Sequence, residues 1–268
     1  MNDTELDQQY LAIKKRSTSE LFDLTLVVVR SDGFRILFWL AVFAAPLALI
    51  NHVAASWLCN RFLLLDPEDG DWSFMYVISV LALTVFETPF ASSLSIIYLG
   101  KRVFSAGGVP KTGEILLAWI EAVPQLILFT VLLVPLGIFY ECMPEIVALE
   151  RSPLFARRKD QITTFRRLRN FHRNRFGEQF VMLYPILLFG VMLVPGLLLV
   201  ISCLFYLCIG PVQNYFSQFV ALAAAIVVWV SCFFLIVFHF LRYLDMRIER
   251  EGWDVELVFR AERSRSVQ

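Results

Sequence analysis

ILFWLAVFAAPLALI, residues 36–50, is an unbroken run of fifteen apolar residues. LDPEDGDW, residues 65–72, follows it with four acids and neither lysine nor arginine. Extended by a tolerant tail to about residue 58, the run supplies the ~20 helical residues that cross a ~30 Å hydrocarbon core. Trp57 and Trp72 flank the acidic turn, where interfacial aromatics belong. The turn is expected on the outer side, and residues 74–99 are expected to return inward.

Working outward from this hairpin, the charges fix an orientation. Of 24 lysines and arginines, only Arg61 falls on the side assigned to the acidic turn. An excess of cations on one side marks that side as cytoplasmic, so both termini are expected inside. The chain is 58% hydrophobic and 18% charged, with mean hydropathy +0.65, more apolar than a soluble domain of this length. Net formal charge is zero, so no bulk field points to nucleic acid as a partner. Segment 150–178 holds nine Lys/Arg against three acids and reads as topogenic.

The reading is an all-α, polytopic integral membrane helix bundle: about six transmembrane helices in three hairpins, with short interfacial cytoplasmic helices. Residues 1–33 form a cytoplasmic segment, 34–241 the bundle and 242–268 a cytoplasmic tail. The expected spans are about 36–58, 74–99, 115–134, 137–150, 180–209 and 216–241. No small-residue cleavage site follows a short apolar stretch, so the first span is expected to be a retained anchor. Ser17-x-x-Glu20 has the form of a capping box. The helix it starts, 20–30, carries Leu21, Leu24 and Val28 on one face, as a helix resting on the cytoplasmic surface would. Residues 161–175 can form a similar helix. Residues 180–209 exceed one crossing and must tilt or kink, with Pro185 and Pro195 as the places for it.

Block 115–149 is the difficult one. A single crossing would put the most basic loop outside, so the block must return, either as two short helices broken at Pro135-Leu136-Gly137 or as a re-entrant hairpin. The first and third hairpins share an order of features, Arg30 then Pro46 and Arg173 then Pro185, a weak internal repeat of a kind common in transporters and inert bundles alike.

Glu87, followed by Thr88-Pro89, is the sharpest functional candidate. A carboxylate near mid-membrane is protonated, paired or facing a water-filled cavity, and Pro89 frees a carbonyl nearby that can take a cation or an amine. The plainer reading is a hydrogen bond to a neighbouring helix at a kink. Glu141 and Glu145 are four apart and share a helix face: an outward cation site on one reading, an interfacial Glu141 and a bundle-facing Glu145 on the other. Glu121 belongs to the same block. His52 and His239 read as interfacial hydrogen-bonders at opposite ends of their spans. The turn with Asp66, Glu68, Asp69 and Asp71 lacks the spacing of a calcium loop, and the five cysteines form no ligand-spaced cluster. Residues 107–113, GGVPKTG, miss the glycine that precedes the lysine of a phosphate loop. No nucleophile elbow, zinc-protease motif or paired acid and base is present, so neither enzymatic activity nor a cofactor is expected.

Past the last span the helix continues to Gly252, a natural C-cap. Arg247, Glu251, Trp253 and Asp254 are the candidate docking residues of this tail, whose plainer reading is a stop-transfer segment, and the basic loop 151–178 is a second candidate surface for a membrane or cytoplasmic protein. Three motifs, Arg16-Ser-Thr-Ser-Glu-Leu-Phe-Asp23, Ala148-Leu-Glu-Arg-Ser152 and Tyr243-x-Asp-x-Arg-Ile-x-x-Glu-Gly-Trp-Asp-Val-Glu-Leu257, resemble those of uncharacterised bacterial multi-pass proteins. These are similar to the membrane domain attached to some glycerophosphodiester phosphodiesterases. The resemblance implies a six-span bundle of the bacterial inner membrane without activity of its own, encoded near AAA-type ATPase and transglutaminase-like membrane proteins. The expected function is to anchor or organise a membrane complex; the alternative is a small-solute or ion transporter or channel using an intramembrane carboxylate.

Overall fold

The computed structural model describes residues 17–64, 70–104, 109–137, 143–150, 163–172, 176–209 and 213–251. Among them all regular structure is helical. In chain order the helices are α1 (Thr18–Trp57, continued by a π-turn Leu58–Phe62), α2 (Gly70–Ala91), α3 (Ser93–Phe104) and α4 (Thr112–Gly137). There follow α5 (Met143–Glu145, continued by a π-turn Ile146–Glu150), α6 (Thr164–His172), α7 (Phe176–Ile209) and α8 (Gln213–Glu251). Among the described residues three stretches are long and apolar enough to cross a membrane: Thr18–Phe62, Asp71–Ala91 and Ala221–Glu249. A shorter apolar helix, Met192–Cys208, lies in α7.

α1 begins as the sequence demands. The Ser17 N–H donates to Glu20 Oε2 at 2.9 Å and the Glu20 N–H to Ser17 Oγ at 3.3 Å, so each side chain satisfies an amide that the first turn leaves open. The expected break between an interfacial helix and the first span is absent: α1 runs unbroken through Arg30 and Phe34. Its buried stripe is Leu21, Thr25, Val28, Asp32 and Ile36, spaced by three and four as one helix face requires. Thr25 joins the expected Leu21 and Val28 on this stripe, with Leu24 half-buried beside it; the Thr25 hydroxyl donates to the Leu21 carbonyl at 2.7 Å, which leaves no orphaned polar atom.

The expected span 74–99 is divided. α2 ends at Ala91, Ser92 is a turn, and α3 starts afresh, the Ser92 carbonyl accepting from the Ile96 N–H at 2.9 Å. Pro89 supplies one reason, since it removes a helical donor. Serines supply another: Ser95 Oγ donates to the Ile36 carbonyl and Ser93 Oγ accepts from Trp119 Nε1, bonds that compete with a straight helix. Of the expected crossing over 137–150, Gly137 ends α4 and residues 143–150 are helical, while residues 138–142 lie outside the described residues.

The chain divides into two compact units. The first comprises Met1–Trp39, Ser92–Phe176 and Ile236–Gln268; the second comprises Leu40–Ala91 and Gly177–Leu235. In the first, α3 and the end of α8 are buried almost all round, and α4 contributes the face Ile115, Ala118, Ala122 and Leu126. The π-turn 146–150 packs on α3 and α4. Both ends of block 115–149 meet neighbouring residues of α3: Lys101 pairs with Glu114 at 3.6 Å, and a Cβ on Gly100 would lie 2.5 Å from Leu149 Cδ2. The block thus returns to where it began.

In the second unit, Ala221, Ala224, Ala225 and Val228 of α8 pack with Ala55, Cys59, Trp72, Tyr76 and Val80. The small side chains on α8 let helices approach closely. The Trp72 ring stacks on Tyr76 at 5.1 Å and its Nε1 donates to Asn60 Oδ1 at 2.6 Å, while His52 Nδ1 and Tyr76 Oη share a hydrogen bond of 2.8 Å. Leu49, Val53, Phe74, Ile78 and Leu204 face outward, an apolar exterior suited to lipid. α7 is helical through Pro185 and Pro195.

Candidate functional site

Three polar centres stand out among the described residues, each gathered around a carboxylate. The first is Asp32. On α1 it occupies a position of the buried stripe, where an unpaired carboxylate would be costly. Its carboxylate meets Arg35 Nη1 at 3.0 Å, Arg102 Nε at 3.3 Å and the Tyr98 hydroxyl at 3.3 Å. α3 delivers both Tyr98 and Arg102 because residues four apart share a face.

The second is Glu150, at the end of the π-turn. Its side chain is 8% exposed. Tyr243 Oη donates to Oε1 at 2.6 Å, Arg247 Nη1 lies 3.6 Å from the same oxygen, and Arg167 Nε pairs with Oε2. Arg247 also donates to Tyr243 Oη at 3.1 Å. Two cations and a phenol converge on one carboxylate from α6 and α8. Nearby on α8, Arg242 and Asp245 pair at 3.5 Å and are both buried. The Arg167 and Arg247 guanidinium groups outweigh the single Glu150 carboxylate they share; the arrangement fastens segments together.

The Glu150 centre joins two of the motifs that carried the resemblance. Glu150 comes from Ala148-Leu-Glu-Arg-Ser152, and Tyr243 and Arg247 come from the tail motif. The third motif forms the capping box. Spacing alone singled out neither Asp32 nor Glu150, although Asp32 falls four residues from Val28 and four from Ile36, a periodic position that should have drawn notice.

The third centre is Glu87 on α2. Its Oε2 accepts from Asn51 Nδ2 at 2.8 Å, and the same amide nitrogen lies 3.5 Å from Thr84 Oγ1. Asn51 and Thr84 are each 1% exposed. Thr88 Oγ1 donates to the Thr84 carbonyl at 2.6 Å. Pro89 lies inside α2, two residues before its end. The carboxylate is held by a neighbouring helix, and Asn51 is the partner that the sequence did not reveal.

The other candidates are distributed as follows. Glu145 is buried in the first unit; Glu141 lies outside the described residues. Arg247 is engaged with Glu150 and Tyr243, which gives the docking candidate an internal use. Glu251 closes α8, its side chain outside the described residues, as are Trp253 and Asp254. Among the described residues no group of three His, Cys, Asp or Glu side chains gathers as a metal centre.

Among the described residues the architecture is all-helical, with three helices long and apolar enough to cross a bilayer. No protein-family model matches it, and neither does any curated protein or solved structure.

Proposed function

We propose that this chain is a non-enzymatic, multi-pass protein of a bacterial inner membrane that anchors or organises partners of a membrane complex. In this reading it crosses six times with both termini in the cytoplasm, and its relatives are the membrane domains named above. The supporting observation is the Glu150 centre. It fastens α6, in the basic segment 151–178, to the end of α8, from which the tail departs. The two stretches expected to meet partners therefore leave from one fixed point. Arg166 and Arg169 on α6 remain exposed while Arg167 turns to Glu150, so the helix keeps an outward cationic face for an acidic partner surface.

Tagged protein drawn from native membranes in mild detergent tests the idea. A stoichiometric companion is expected, lost when residues 253–268 are deleted or when Arg166 and Arg169 are both changed to Glu, with the protein still inserted. Recovery of the chain alone would count against an organiser. A second reading, transport, is favoured by the Asn51–Glu87 pair; there Glu87→Gln should abolish a solute flux that tail deletion leaves intact.

A further inference from the structure

Arg35 interrupts an apolar exterior. On α1 it shares an outward face with Phe34 and Phe38, both exposed, and 51% of its own side chain is exposed with them. A guanidinium on a lipid-facing surface is costly unless it lies at headgroup level. Its position meets that condition. Arg35 directly precedes the unbroken apolar run 36–50. The helix rises ~39 Å from Arg35 to Arg61 near its far end, close to the ~40 Å of a bilayer with its headgroup regions.

The guanidinium is also held in place. Nη1 meets Asp32 Oδ1 at 3.0 Å, and the buried Asp32 carboxylate is shared, receiving Arg102 Nε and the Tyr98 hydroxyl, each at 3.3 Å. One carboxylate serves two guanidinium groups, so Asp32 positions Arg35 without neutralising it. A fixed planar fork with exposed donors suits a phosphate. We propose that Arg35, set by Asp32, binds the phosphate of an anionic phospholipid whose acyl chain lies along Phe38. A zwitterionic headgroup carries its own cation beside the phosphate and is the weaker match. The apolar flank favours a lipid over a soluble phosphate. The site rests on α1 crossing the bilayer, a part of the reading above, and is independent of the organiser role.

The test is native mass spectrometry of the full chain in a neutral detergent, titrated with phosphatidylglycerol or phosphatidylcholine of the same acyl chains. One phosphatidylglycerol should bind at least about tenfold more tightly than phosphatidylcholine. Arg35→Gln should remove the preference while Asp32 keeps Arg102 and Tyr98. Ser31→Glu should remove it with Arg35 still present, because its carboxylate lies one turn away on the same exposed face and takes up the guanidinium. Arg61→Gln should leave it intact, and millimolar glycerol phosphate should not displace the lipid. Equal affinity for the two lipids, a preference surviving Arg35→Gln or Ser31→Glu, its loss in Arg61→Gln, or displacement by glycerol phosphate would each overturn the proposal. Release of the chain from membranes by alkaline carbonate would overturn the membrane reading along with it; a chain that resists carbonate and shows no preference removes the lipid site alone.

Discussion

Replacing Glu150 by Gln keeps the shape of the side chain and removes its charge, which leaves Arg167 and Arg247 facing each other across a neutral amide. Breaking a fully buried ion pair by removing one partner costs about 3–5 kcal/mol. Glu150 is 8% exposed, but Arg247 and Arg167 retain 15% and 21%, and their residual hydration places the cost near the lower bound, about 3 kcal/mol. At roughly 2–4 °C per kcal/mol for a chain of this size, the loss is about 6–12 °C in melting temperature. The assay is thermal unfolding in mild detergent, followed by helical circular dichroism. Arg247→Gln supplies the second arm. The two changes remove one shared interaction, so the double variant should fall by clearly less than the sum of the singles. A Glu150→Gln protein that melts within about 1 °C of wild type, or strict additivity of the pair, would refute the claim that this carboxylate holds the first unit together.

Two further outcomes follow from local geometry. A Cβ at Gly100 meets only the tip of Leu149, which can rotate away, and alanine gains up to ~1 kcal/mol of helix propensity over glycine. Gly100→Ala should therefore be near neutral, whereas Gly100→Leu should cost about 1–3 kcal/mol by overpacking, and Leu149→Ala should recover part of it in the same melting assay. Leu64, past the π-turn of α1, has φ of 53°, which costs a branched residue roughly 1–2 kcal/mol; Leu64→Gly should raise the melting temperature slightly and Leu64→Val lower it.

What the sequence made legible was local or periodic. Ser17 and Glu20 lie three residues apart, and the capping box they form needs nothing from the rest of the chain. The apolar blocks announced the helices because length and hydropathy are properties of a segment. Interruptions were harder to read. The division at Ser92 depends on where Ser93 and Ser95 find partners, Trp119 and the Ile36 carbonyl, which no window around residue 92 contains. The same holds for the centres. Glu87 stood out as a charge among apolar residues, but its partner Asn51 lies 36 residues earlier, and Glu150 meets Tyr243 across 93 residues. Charge counting assigned Arg102, Arg167, Arg242 and Arg247 to one side of the membrane as a group; it carried no information about which would turn inward onto Asp32, Asp245 or Glu150.

The Glu150 centre also sets an order of biogenesis. Chains emerge from the ribosome N-terminus first, and the first unit draws on three separated stretches, the last beginning at Ile236. Until Tyr243 and Arg247 have been made, Glu150 has only Arg167 beside it, and α3 lacks the α8 segment that completes this unit. The hairpin of α1 and α2 can close while synthesis continues; the first unit is sealed only by the final helix. A nascent chain stalled before residue 242 would therefore hold its basic segment without the clasp that fixes it, a state open to quality-control proteases until the end of α8 arrives.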